Sequence, residues 1–176
     1  EGVTLYMTLL TAFAVLLARY ARQEVLLIGT PTAGRRQVEI EKLIGNFINT
    51  LVMRVDMSGN PTFRELLRRV REMAVAAYAH QELPFDKLVE AVHPQRSMNR
   101  SPLVQVLFQL RGLPFAPVQA QGARFEEIEV DNGTAKVDLA LDVFDLEDEL
   151  ECLCEYCTDL FTPETIARLL EHYRVL

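Results

Sequence analysis

A chain of 176 residues that is 49% hydrophobic and 24% charged can build one packed core, which excludes a disordered segment. Its net charge of −7 is unevenly spread, with 15 Lys/Arg against 10 Asp/Glu in residues 1–125 and 3 against 15 in residues 126–176. The acidic share falls on strand-like segments and a turn, where it reads as a solvated face, and no basic run interleaved with aromatics points to nucleic acid.

Val3 to Tyr20 is apolar nearly all round, interrupted by Thr4, Thr8, Thr11 and Arg19. A membrane span needs about 20 apolar residues, so this stretch is expected to be a buried helix and not a span. Glu24 to Thr30 reads as a buried strand that ends in the breaker-rich loop Gly29-Thr30-Pro31-Thr32-Ala33-Gly34-Arg35. Phe47 to Val55 is a second strand. Thr62 to Ala79 is a helix with a capping box, Thr62 with Glu65. Its apolar face runs through Phe63, Leu66, Leu67, Val70, Met73, Ala74, Ala77 and Tyr78, opposite Arg64, Arg68, Arg71 and Glu72.

His80-Gln81-Glu82-Leu83-Pro84-Phe85 ends that helix. Pro84 cannot continue it, but suits the first position of a following helix over 84–92. Leu103 to Leu110 is a strand and residues 111–123 a loop. Arg124–Val130, Val137–Phe144 and Leu150–Tyr156 are strands joined by turns at Asp131-Asn132-Gly133 and Leu146-Glu147-Asp148. Thr162-Pro163-Glu164 opens the last helix. The sum is an α/β fold: a mixed sheet of about five or six strands with helices packed mainly on one face. Glu1 is not an initiator Met and Leu176 falls within a helix, so the sequence reads as a piece of something longer.

Few residues taken singly point to chemistry. Gly29 to Gly34 lacks the spacing of a phosphate loop, and no nucleophile elbow or zinc-binding His pair exists. His80, His93 and His172 are scattered, and each reads as a structural or solvent-facing side chain. His80 also suits the negative end of a helix dipole. Cys152, Cys154 and Cys157 are spaced like a metal half-site, but without a second cluster they read as small apolar residues, two of them on one strand face. No metal is expected. Arg35, at the end of a loop following a strand, is of a kind that can hold a carboxylate bidentately, although an ordinary surface arginine is the commoner case.

The segments in order are more specific than any one of them. Ile28-Gly29-Thr30-Pro31-Thr32-Ala33-Gly34-Arg35, Ile44-Gly45-Asn46-Phe47-Ile48-Asn49-Thr50-Leu51-Val52-Met53-Arg54, His80-Gln81-Glu82-Leu83-Pro84-Phe85-Asp86-Lys87-Leu88-Val89-Glu90 and Arg100-Ser101-Pro102-Leu103-Val104-Gln105-Val106-Leu107-Phe108 follow one another. So do Lys136-Val137-Asp138-Leu139 and Glu155-Tyr156-Cys157-Thr158-Asp159-Leu160-Phe161 near the end. Across essentially its whole length the chain resembles the C-terminal lobe of nonribosomal peptide synthetase condensation domains. Asn46 and Val104 depart from that pattern, which favours larger aromatic residues at both positions.

The resemblance implies a chloramphenicol acetyltransferase-like lobe. Two such lobes enclose a tunnel, at whose ends carrier proteins present phosphopantetheine-tethered substrates for peptide-bond formation. The family's His-His-x-x-x-Asp-Gly signature belongs to the N-terminal lobe, and this chain has no His-His pair. The resemblance therefore implies no catalytic residue here and no cofactor bound directly. Arg35 would support the active site by holding the motif Asp of the other lobe. Gly29, Pro31, Asn49, His80, Gln81, Pro84 and Gln105 would line or support the tunnel, with Gly45 shaping its backbone. The implied partners are the N-terminal lobe, upstream and downstream peptidyl carrier proteins and an adjacent adenylation domain, in the cytoplasm. Two other readings are a lobe of a coenzyme A-dependent acyltransferase of the same superfamily and a non-catalytic carrier-docking lobe. Epimerisation and heterocyclisation relatives share the fold.

Overall fold

The computed structural model describes residues 2–35, 37–93, 101–112, 118–120, 123–125, 133–146 and 148–176. Helix α1 (Leu5–Ala21) starts where the Thr4 hydroxyl accepts from the Met7 amide and stops at Arg22, whose φ of 54° turns the chain out of the helix. Strand β1 (Val25–Thr32) pairs antiparallel along its whole length with β2 (Asn49–Asp56). The short helix α2 (Val38–Glu41) lies between them.

Helix α3 (Phe63–Ala79) opens with the expected capping box. The Thr62 amide donates to Glu65 Oε2 at 2.8 Å, and the Glu65 amide to Thr62 Oγ1 at 3.3 Å. Helix α4 (Phe85–Val92) and strand β3 (Val106–Arg111) follow. Then come a hairpin of β4 (Val118–Ala120) and β5 (Ala123–Phe125), strands β6 (Leu139–Asp145) and β7 (Leu150–Tyr156), and helix α5 (Pro163–Val175). The Thr162 hydroxyl caps α5 and Pro163 stands in its first turn.

The main sheet runs β2-β1-β3-β6-β7, with β4 and β5 paired apart from it. Both hairpin-like pairs, β1 with β2 and β6 with β7, are antiparallel, while β3 runs parallel to both β1 and β6. Alternation along the strands sorts side chains to two faces. Leu26, Ile28, Leu51, Met53, Val55, Phe108, Leu139, Leu141 and Val143 point one way into a single core. Helices α1, α3 and α5 cover that face through Leu10, Phe13, Leu66, Val70, Ile166 and Leu169, all at most 4% exposed. The other face lies open among the described residues: Val25 is 39%, Leu27 36% and Leu153 44% exposed. No helix among the described residues is long and apolar enough to cross a membrane.

The mixed sheet with helices on one face matches the expectation; several local boundaries do not. The second strand begins at Asn49, leaving Phe47 and Ile48 outside the ladder, where the Ile48 amide bonds to the Asn46 side chain at 3.1 Å. Strand β3 begins three residues later than expected, because Leu103 takes φ 62° and cannot extend the ladder. Pro84 is the N-cap of α4 and not its first helical residue, with ψ 140°. The expected loop over 111–123 contains β4, and the strand expected over 124–130 is described only as far as Phe125. Residues 126–130, Asp131, Asn132 and Glu147 lie outside the described residues. Cys152 and Cys154 pair with Val143 and Leu141 on the core face. Burial pushes the Cys154 thiol up to about 11, so it stays protonated at neutral pH.

Candidate functional site

The β1–β2 connection and the α3–α4 corner meet beyond the end of the sheet where Thr32 pairs with Asn49. A cleft of about 380 Å³ lies between them. One wall comes from the connection: Gly34, Gln37, Ile40, Asn46, Phe47 and Ile48. The other comes from the corner: Gln81, Glu82 and Pro84, with Asn49 at the junction.

Asn49 fastens the corner by its main chain. Its Nδ2 donates to the carbonyls of Gln81 at 3.0 Å and Leu83 at 2.8 Å, and its Oδ1 accepts from the Phe85 amide at 3.0 Å. Both ends of the amide are thereby used, and the start of α4 gains an acceptor that Pro84 cannot supply. Gln81 turns its own side chain back, donating to the Tyr78 carbonyl at 3.0 Å. His80 is the exposed C-cap of α3; its amide donates to the Ala77 carbonyl at 3.1 Å.

Arg35 fastens the opposite wall. Its Nη1 donates to the carbonyls of Ile40, Glu41 and Leu43 at 2.6, 3.2 and 2.8 Å, and its Nη2 to that of Gly45 at 3.1 Å. The guanidinium lies 4.3 Å from the centre of the Phe47 ring. Gly34, beside it, has φ 64°, and a Cβ there would sit 1.9 Å from the Phe47 carbonyl oxygen. Only glycine fits.

Of the residues expected to line or support a tunnel, the structure gathers Asn49, Gln81 and Pro84 in this cleft. Gly29 and Pro31 lie within β1, and Gln105 precedes β3, donating to the Ser101 carbonyl at 2.8 Å. Gly29 faces the open side of the sheet, where a Cβ would stand 2.6 Å from Leu107 and 2.7 Å from Val104. Of the two departures from the family pattern, Val104 is buried against this glycine and Asn46 lines the cleft. Gly34 and Phe47 are further residues of the site, beyond those expected from the sequence. The adjacency of Gly34 and Arg35 was their only signal in the sequence.

Two polar arrangements flank the site. Behind β1, the Tyr6 hydroxyl meets Thr30 Oγ1 at 2.5 Å, and Thr30 donates to the Phe108 carbonyl at 3.1 Å. Burial raises the Tyr6 hydroxyl far above its ordinary range, so it remains a neutral phenol. On the open face, Asp142 pairs with Arg111 at 3.0 Å. Burial nevertheless lifts its carboxyl above the usual range, with Arg111 opposing the shift and Glu155 adding to it. Neither arrangement reaches the cleft walls. The described residues of the site hold backbone in place and present no paired nucleophile and base.

A sequence model described as Condensation domain matches residues 1–176. The chain is 48% identical to one of the linear gramicidin synthase proteins of Brevibacillus parabrevis over 178 residues, covering all of this chain and 4% of that protein. It is 51% identical to another linear gramicidin synthase protein from the same organism, over 98% of this chain and 3% of that one. The chain thus spans a few per cent of the length of these curated relatives. Among solved structures, the X-domain from teicoplanin biosynthesis superposes with a TM-score of 0.87 at 29% identity, covering 99% of this chain and 41% of that chain. A four-domain nonribosomal peptide synthetase, holo-AB3403, gives 0.86 at 26% identity, covering 97% and 14%. Matched along its entire length, the chain belongs to the condensation-domain family of nonribosomal peptide synthetases and has their chloramphenicol acetyltransferase-like fold.

Proposed function

We propose that this chain is the C-terminal lobe of a condensation domain, which joins two carrier-tethered aminoacyl or peptidyl groups by a peptide bond. The observation that carries this reading is a whole-length family match in a chain with no His-His pair. In the reaction the acceptor amine attacks the donor thioester carbonyl. A C–N bond forms, the C–S bond breaks, and the amine proton leaves while the donor arm departs as a thiol. That chemistry needs an oriented amine, a group to manage its proton and donors for the developing oxyanion.

On this reading the His-His-x-x-x-Asp-Gly lobe manages the proton, and this lobe supplies one wall of the tunnel through Asn49, His80, Gln81 and Pro84. Gly29, Pro31 and Gln105 shape the strands behind it. Arg35 has five N–H donors, of which Nε–H and one on Nη2 remain available among the described residues to hold the motif Asp. The substrates arrive on phosphopantetheine arms of upstream and downstream carrier proteins, next to an adenylation domain, in the cytoplasm. Similarity to linear gramicidin synthase proteins supports a peptide-synthetase lobe over a lobe of a coenzyme A-dependent acyltransferase.

A docking role remains a second reading, supported by the similarity to an X-domain known in complex with OxyB. Carrier-loaded donor and acceptor substrates separate the two. The intact protein should form peptidyl product and the isolated 176-residue chain none. Turnover by the isolated chain would sink the assignment as an incomplete lobe, and no turnover by the intact protein would favour docking.

A further inference from the structure

We propose that Arg35 is a positioning residue that sets one wall of the cleft through main-chain carbonyls, a task distinct from holding a carboxylate. The stretch from Val38 to Ile48 has little else to fold it. Helix α2 buries no residue, and Val38 is 73%, Leu43 51% and Ile44 104% exposed. Its backbone bonds, such as the Leu43 amide to the Ile40 carbonyl at 3.2 Å, are local. A four-residue helix is marginal without tertiary support.

Arg35 supplies that support. Its four donated bonds gather the Ile40 and Glu41 carbonyls at the C-terminal end of α2, the first of which also accepts from the Leu43 amide, together with the Leu43 and Gly45 carbonyls beyond it. Phe47 closes the arrangement from beneath the guanidinium plane. The segment so gathered contributes Ile40, Asn46, Phe47 and Ile48 to the cleft. Arg35 itself does not line it. Its influence therefore passes through the wall it holds.

The geometry requires arginine and not merely a positive charge. A lysine ammonium has three donors around a point and no plane to lie on Phe47. It can balance a carboxylate, but it cannot span four carbonyls. The test uses the intact protein carrying this chain, with Arg35→Lys and Arg35→Ala, read by hydrogen exchange and by the KM and kcat of condensation. Both variants should speed exchange of the Leu43 and neighbouring amides by about tenfold or more. Exchange in β6 and β7 should stay unchanged, which controls for general unfolding. Both variants should also raise KM by a larger factor than they lower kcat.

Wild-type exchange in Arg35→Lys would overturn the proposal, because charge alone would then suffice. Faster exchange with unaltered KM would also overturn it, because the wall would then not position substrate. The kinetic part rests on the condensation reading and the exchange part does not. An intact wild-type protein without condensation activity would remove the former and leave the latter standing.

Discussion

Asn49→Asp changes one atom of the clamp on the α3–α4 corner and inverts its electrostatics. The carboxylate keeps an acceptor for the Phe85 amide and gains slightly from the N-terminus of α4. Its second oxygen, however, faces the carbonyls of Gln81 and Leu83, which received bonds at 3.0 and 2.8 Å. Two bonds at about 1 kcal/mol each are lost, and repulsion between the carboxylate and two carbonyls adds to the loss. The helix-terminus gain of about 0.5 kcal/mol offsets only part of this. The net cost to the corner is about 2 kcal/mol, or roughly 30-fold in local opening. Hydrogen exchange at the Leu83, Lys87 and Leu88 amides reads it directly, because their bonds to the His80 and Pro84 carbonyls hold only while the corner does. A protonated carboxyl can donate again, so protection should partly return as pH falls below about 4. Wild-type protection at pH 7, or no recovery on acidification, would refute this account of the clamp.

Gly34→Ala should cost about 2 kcal/mol or more, since alanine must take φ 64° and clear a carbonyl oxygen 1.9 Å away. A thermal melt matching wild type would show that the crossing of residues 34 and 47 is looser than described. Asp142→Asn should stabilise the protein at neutral pH. Burial raises the Asp142 carboxyl, so its ionised form is disfavoured in the folded state; the resulting cost is full above the folded pKa and vanishes below the unfolded value of about 3.9. The variant's advantage, followed by urea unfolding against pH, should therefore shrink as pH falls through that window. A variant less stable than wild type at pH 7 would mean that the Arg111 pair outweighs burial.

Helix α3 was legible because its start signal and its apolar face agree: Thr62, Glu65 and the buried Leu66, Val70 and Ala74 each specify the same element. The strands of the core were legible from runs such as Val25 to Ile28. Their order was not, since β3 is inserted between β1 and β6 by parallel pairing that no local turn encodes. Helix α2 was missed because it has no buried face and depends on a side chain outside its own pattern. Pro84 lies one position earlier than its sequence pattern suggests, because Asn49, remote in sequence, caps the corner in place of a local residue. The cleft shows the same limit. Asn49 and Gln81 were named as site residues, but the main-chain carbonyls and amides they bind have no residue-type signature.

The end strand β7 has consequences for association. Among the described residues it ends the sheet beyond β6, and its outward-facing Leu153 is 44% exposed. Such a strand invites a second copy to add itself in antiparallel register. Centred on Leu153, that pairing would set Glu151 of one chain opposite Glu155 of the other, twice over. Like charges directly across a ladder are unfavourable. The two glutamates thus act as a guard on a border whose apolar residue would otherwise favour pairing of two copies, and replacing both by threonine would open that border to an edge-to-edge dimer.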